Sequence, residues 1–264
     1  LMAELEDFTS SIAILVSSCD AFFDAWKPFV AFFEKFWSDC PLDAFLLTNQ
    51  LTVRSDRFQP LATGEDRAWS SNLLAALARL PHPYVLYLQE DYFLTAPVAR
   101  AQLAQDFAEA VAVEADSLCF HARVEPDPGF RWLNDRYGAM AIDSDFRTRC
   151  QVTLWKRSAL QSILREGETA WNFEARGSAR TQAMEILSYK RLDDPPIPYL
   201  MSAISRGLWT PEAVTMCREH GVAIEPFFRP LSAPQPWQQR LRRALGRVRL
   251  KRALRRQADR VIQL

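Results

Sequence analysis

Histidine, paired cysteines and glycine-rich phosphate loops are what this sequence has little of. Three histidines in 264 residues, with no Ser/His/Asp or Cys/His spacing among them, argue against a hydrolase triad. The five cysteines (Cys19, Cys40, Cys119, Cys150 and Cys217) are scattered and odd in number. With no C-x-x-C among them they suit reduced thiols and argue against a structural zinc site. Neither G-x-G-x-x-G nor G-x-x-x-x-G-K-[ST] occurs, so both the dinucleotide fingerprint and the P-loop are missing. No apolar run approaches the roughly 20 residues that cross a bilayer. The first ten residues are acidic, unlike a signal peptide. A cytoplasmic protein is the expectation.

What is present is ordinary globular composition, 48% hydrophobic and 24% charged, at a length that suits one α/β domain with a short appendage. The net charge of zero hides a split. Residues 237–264 carry ten Lys/Arg against Asp259 alone, which leaves 22 basic and 31 acidic residues in 1–236. Four prolines between 226 and 236 mark the boundary. The pattern predicts a body over 1–236 and a basic helical tail over 237–264.

Along the body, SSIAILVSS (10–18) reads as a buried strand. Asp20 is placed to cap a helix over 22–37, whose Phe22, Phe23, Trp26, Phe29, Val30, Phe33 and Trp37 recur at helical spacing. LDAFLLTN (42–49) reads as a second strand, residues 64–80 as a helix stopped by Pro81 and Pro83, and residues 84–88 as a third strand. This alternation predicts a parallel α/β sheet. A helix over 97–115, a strand over 117–124, a polar-aromatic loop over 125–150, a strand over 152–155 and a helix over 158–165 follow, then a proline-rich turn over 193–198.

In such sheets ligands bind beyond the carboxyl ends of the strands. Those ends are Ser17-Ser18-Cys19-Asp20, Thr48-Asn49 and Gln89-Glu90-Asp91, all polar. The third lies in YVLYLQEDYF, an apolar strand that ends on two acids. Either the strand has reached water there, or the acids hold a divalent metal, Mn²⁺ or Mg²⁺, and through it a diphosphate.

The segments SSCDAFFDAW, LLTN, WSSNLLAAL, VLYLQEDYFL, LWKRSAL and GETAWNFEARGS together resemble bacterial glycosyltransferases of the GT-A fold, of the kind that build capsule and lipopolysaccharide. The likeness spans roughly residues 11–220. It implies a nucleotide-sugar donor held by Ser17, Ser18, Cys19, Asn49, Trp69 and Asn72, with Glu90 and Asp91 as the acidic motif and Asp91 as the metal ligand. The usual Asp-x-Asp is incomplete, because Gln89 occupies its first position. It further implies a base near GETAWNFEARGS, where Glu174 is the first choice and Glu168 the reserve, with Trp171, Phe173 and Arg176 facing the acceptor. Apolar surroundings from Trp171 and Phe173 would raise the base's pKa into a useful range.

Three further readings stand beside this. His220 could complete a metal site or be a surface residue. Trp132, Asn134, Asp135, Arg136 and Tyr137 could recognise a sugar or form a surface loop. The tail could lie on an anionic membrane, bind RNA or dock on the protein's own acidic body. For function, the alternatives are another metal-dependent nucleotide-using transferase and an inactive GT-A-like subunit that binds glycan or a partner.

Overall fold

The computed structural model describes residues 3–122, 127–191, 195–233, 235–258 and 260–264. The far end of the strand expected over 117–124, the first residues of the proline-rich turn at 193, and Asp259 lie outside them. The first strand, β1 (Ile12–Ser17), runs into a short 3-10 turn, Asp20–Phe22, and helix α1 (Phe23–Trp37). Then come β2 (Ala44–Thr48), β3 (Thr52–Arg54), β4 (Gln59–Ala62), α2 (Trp69–Leu77), β5 (Tyr84–Gln89) and β6 (Phe93–Leu94). The middle of the chain forms α3 (Arg100–Ala112), β7 (Ser117–Cys119), β8 (Arg131–Trp132), β9 (Tyr137–Ala139), β10 (Thr153–Lys156), α4 (Arg157–Ile163) and α5 (Ala170–Gly177). The last third adds β11 (Ile186–Tyr189), β12 (Tyr199–Leu200), β13 (Ile204–Ser205), β14 (Leu208–Trp209), α6 (Pro211–Glu219), α7 (Pro236–Gln257) and β15 (Val261–Gln263).

Nine strands form one sheet in the order β4-β2-β1-β5-β10-β7-β11-β9-β8. The four strands from β4 to β5 are parallel, β10 enters antiparallel between β5 and β7, and β7 and β11 are again parallel. The expected α/β sheet, mostly parallel and flanked by helices, is what the chain forms, with β10 and β9 running against it. Both faces are covered. In β1, Ile12, Ile14 and Val16 pack into the larger core with α1 and α3, while Ala13 and Leu15 pack into a second core with α2 and α4. A strand buried on both sides shows no polar alternation, which is why SSIAILVSS reads as an unbroken apolar run.

Several boundaries differ from the sequence pattern for identifiable reasons. Asp20 does not cap α1. Its carboxylate accepts the backbone N–H groups of Asn49, Gln50 and Leu51 at 2.8, 2.8 and 2.9 Å, and the Asn49 Oδ1 accepts the Asp20 N–H at 2.9 Å. Three donors gathered in one turn hold that carboxylate better than one helix end could. Helix α2 starts at Trp69 rather than 64, because Ala68 is extended and Asp66 is held by the Asn72 Nδ2 at 2.7 Å. The tail is not a free appendage. Its helix α7 packs on the Asp20–Phe22 turn, and β15 continues it as a parallel partner of β3.

Candidate functional site

Two compartments open side by side at the carboxyl ends of β1 and β5. The first, about 400 Å³, is lined by Ser17, Ser18 and Cys19 after β1, by Asp66, Arg67, Ala68, Trp69 and Asn72 at the start of α2, and by Gln89 and Glu90. The second, about 370 Å³, is lined by Glu90 and Asp91, by Cys150 and Gln151, by Trp171 and Glu174 of α5, and by Met201, Ser202 and Arg206. Phe22, Gln89, Glu90 and Ala170 line both. The strand ending on two acids has therefore not simply reached water: Glu90 and Asp91 are each only 6% exposed.

The strand carries both acids to the wall, and their surroundings differ. Burial, reinforced by the neighbouring Asp91 charge, pushes the Glu90 carboxyl well above its ordinary value. Burial also raises Asp91, to about 6, against the pull of its hydrogen bonds. Those bonds come from the Ser202 hydroxyl at 3.1 Å and the Ile204 N–H at 3.3 Å, both to Oδ2. The Asp91 carbonyl also accepts the Ala203 N–H at 2.9 Å. The β12–β13 segment thus braces Asp91 from a distance in sequence that no local pattern reports. Beneath the first compartment, the Tyr87 hydroxyl accepts the Trp69 Nε1–H at 3.2 Å and the Gln89 amide at 3.0 Å. Ser18 accepts the Trp26 indole N–H at 2.8 Å. Burial and the nearby Glu90 push the Cys19 thiol up to about 12, so it stays protonated at neutral pH.

Of the residues expected at the donor, Ser17, Ser18, Cys19, Trp69, Asn72 and Glu90 line the first compartment, and Asp91 lines the second. Asn49 lines neither, because its side chain is engaged with Asp20 and with Thr63 at 3.2 Å. Its side chain ties the loop after β1 to the segments that follow β2 and β4. Of the residues expected at the acceptor or as base, Glu174 reaches the second compartment, its Oε1 accepting the Cys150 N–H at 2.7 Å. The aromatic surroundings expected for it do not form. Trp171 is 79% exposed at the lip, while Phe173, 1% exposed, packs in the core against Trp69 and Trp155. Two positions apart on a helix is about 200°, so the two rings cannot flank one side chain.

The reserve base fails on geometry too. Glu168 lines neither compartment. Arg180 holds both of its carboxylate oxygens and keeps it below the usual carboxylate range. Arg176 is exposed on α5 outside both compartments. His220 sits edge-on to Phe32 and Phe36, away from the acids. In the 131–139 hairpin, Arg136 pairs with Asp106 at 2.6 Å, and Asn134 and Tyr137 bond Glu109 at 2.8 and 2.6 Å. These side chains are tied to α3. A larger hollow of about 730 Å³ beside α3 contains none of the strand-end residues. Its Arg100 and Arg136 are already paired with Glu6, Asp39 and Asp106.

The sequence pattern passed over several residues that build the site. Arg67 places a cation at the rim of the first compartment and Arg206 at the second. Arg206 (φ 51°) and Gly207 (φ 77°) form the two-residue turn between β13 and β14. Such a turn wants left-handed backbone at both positions, and an arginine there costs about 1–2 kcal/mol. A local rule broken beside a cleft is a signal the sequence could have offered, had the hairpin been recognised. Arg229 is the other omission. It is buried behind Phe22, 4.6 Å from that ring, and binds the Asp24 carboxylate at 3.0 and 2.9 Å and the Ala21 carbonyl at 2.8 Å.

For a metal, the fit is partial. Among the described residues no three His, Cys, Asp or Glu side chains converge. Glu90 and Asp91 offer two carboxylates, which suits a hard divalent ion that takes its remaining ligands from phosphate oxygens and water.

No family model matches the chain, and no curated protein matches it. Among solved structures, S. aureus TarS residues 1–349 in complex with UDP aligns with a TM-score of 0.46 at 11% identity, over 72% of this chain and 59% of that one. A UDP-glucose pyrophosphorylase complexed with UDP-glucose aligns with a TM-score of 0.43 at 6% identity, over 69% and 90%. A cytidylyltransferase from Leptospira borgpetersenii serovar Hardjo-bovis aligns with a TM-score of 0.42 at 8% identity, over 80% and 95%. The chain spans about three fifths of the TarS chain in its UDP complex. These likenesses concern the arrangement of strands and helices and assign no residue.

Proposed function

We propose that the protein is a nucleotide-sugar-dependent glycosyltransferase acting on a bacterial surface-glycan or lipid-linked acceptor. The observation that carries this reading is the pair of compartments meeting at Glu90. A reaction that joins two substrates needs two adjoining sites with the bond-making region between them. The first compartment, with Trp69 and the polar loop Ser17–Cys19, takes the nucleoside. Its diphosphate extends towards Glu90, between the cations of Arg67 and Arg206. The second takes the acceptor, whose sugar face has the exposed Trp171 ring to lie against.

Transfer is inverting in this scheme. As the acceptor oxygen bonds to the anomeric carbon, the bond from that carbon to the diphosphate oxygen breaks, and the Glu174 carboxylate takes the acceptor hydroxyl proton. Glu90 and Asp91 would hold a divalent ion, which supplies neutralising charge to the departing diphosphate.

A thermal-shift panel of UDP-, GDP-, CMP- and dTDP-sugars, each with Mn²⁺ and with EDTA, tests this on wild type and on Asp91→Ala. The expected result is a shift with one nucleotide that needs metal and vanishes in the variant. A metal-independent shift would retain the transferase and remove Asp91 as a ligand. Glu174→Gln should keep the nucleotide shift while turnover falls by about 10²–10⁴. Nucleotide bound with no turnover on any glycan by the wild type would favour a binding subunit, and no shift at all would defeat the proposal.

A further inference from the structure

The geometry points to a surface, not only a tail: we propose that the outward face of α7 docks on an anionic lipid bilayer. Helix α7 is fixed to the body at both ends. Near its start, Arg242 donates to the Leu231 and Ser232 carbonyls at 3.0 and 2.9 Å. At its far end β15 pairs with β3, and the Leu264 N–H reaches the Arg54 carbonyl at 2.9 Å. Between them Gly246 lies against Pro230, where an added Cβ would come within 2.7 Å of the ring. Docking selects which side chains face out.

Along one side, what faces out changes from apolar to basic. Trp237, Leu241, Leu245 and Val248, 46–64% exposed, fall within one arc of the first three turns. The same arc continues through Arg252 and Arg255, with Arg256 on one side of it and Lys251 on the other, all exposed. The apolar stretch and the cations that follow it lie end to end along the helix rather than on opposite faces, so this side offers a lipid headgroup layer apolar surface at one end and positive charge at the other.

The body does not absorb this charge. Among the described residues, no lysine or arginine of α7 forms an ion pair with an acidic side chain. Arg243 bonds Gln239, and Arg249 lies over the Phe227 ring. Helix α7 therefore docks on the body through backbone carbonyls and close packing rather than through acidic side chains. RNA would satisfy the cations but leave four large apolar side chains in water. A bilayer takes both.

The Asp20–Phe22 turn packed against α7 contributes Phe22 to both compartments. Docking would thus bring the cleft to membrane-borne acceptor, a purpose that rests on the transferase reading, whereas the docking itself does not. Sedimentation of the full chain with vesicles of phosphatidylglycerol and phosphatidylcholine, against phosphatidylcholine alone, tests it without nucleotide or acceptor. Binding to the anionic vesicles, weakened by salt, is expected. Neutralising Lys251, Arg252, Arg255 and Arg256 to Gln should lower partitioning by two to three orders of magnitude, at about fivefold per cation. Trp237→Ser with Leu241→Ser should also weaken it, at unchanged charge and melting temperature. No binding to anionic vesicles at low salt, full binding by the charge-neutralised variant, or equal binding to phosphatidylcholine alone would each overturn the proposal.

Discussion

Arg229→Met is the substitution that most directly tests how the site is held. The Arg229 guanidinium makes two bonds to Asp24, whose side chain has no exposed surface, and a third to the Ala21 carbonyl. Methionine replaces the stem but not the charge, so Asp24 is left buried without its partner. Removing one member of a buried pair costs about 3–5 kcal/mol. In a chain this long that lowers the melting temperature by about 6–20 °C. Asp24 can limit the loss by taking up a proton, a route that burial already favours. The loss belongs to the orphaned charge and not to the pair itself, so Asp24→Leu added to Arg229→Met should recover most of the stability. Phe22 loses the cation over its ring in both variants, so nucleotide affinity should stay weakened in the double variant even as its melting temperature recovers. Differential scanning fluorimetry with and without nucleotide reads both effects. A single variant melting within about 2 °C of wild type, well short of about 6 °C, would show that Asp24 is not left as a buried, unpaired charge. So would a double variant no more stable than the single one.

Two further outcomes follow from the same packing. Gly246→Val forces a side chain into Pro230. It should cost about 1–3 kcal/mol and make sites between 237 and 257 more susceptible to limited proteolysis than in wild type. Glu168 has its folded-state pKa depressed by Arg180. Its contribution to stability is present above the ordinary carboxylate value of 4.5 and is lost as pH falls through the lower folded value. Glu168→Gln should therefore melt below wild type at pH 7 and approach it near pH 3; an equal gap at both would show that Arg180 does not act through charge.

Much of the framework was legible because it is local. The apolar runs at 12–16 and 84–88 and the aromatic spacing of 23–37 each reflect burial of one stretch, and strand, helix and strand fell where those patterns put them. The polar strand ends told where the two compartments would open. Less legible was which polar group does what. Asn49 and Asp20 look like ligands or caps, yet each spends its hydrogen bonds on the other's turn. Glu168 and Glu174 sit in one short segment, and only the fold gives the first to Arg180 and the second to the cleft.

The α/β alternation of the first ninety residues, the burial of β1 and β5 and the clustering of polar residues at the strand ends were all local to the sequence. These follow from periodicity and hydrophobicity within a dozen residues. Tertiary structure alone decided that Ser202 and Ile204 brace Asp91 and that Arg229, 205 positions from Asp24, supports Phe22. It also decided that the basic tail turns its unpaired cations outward. Such partners are chosen when the whole chain closes around its core, where a buried charge must find an opposite one wherever the fold has placed it.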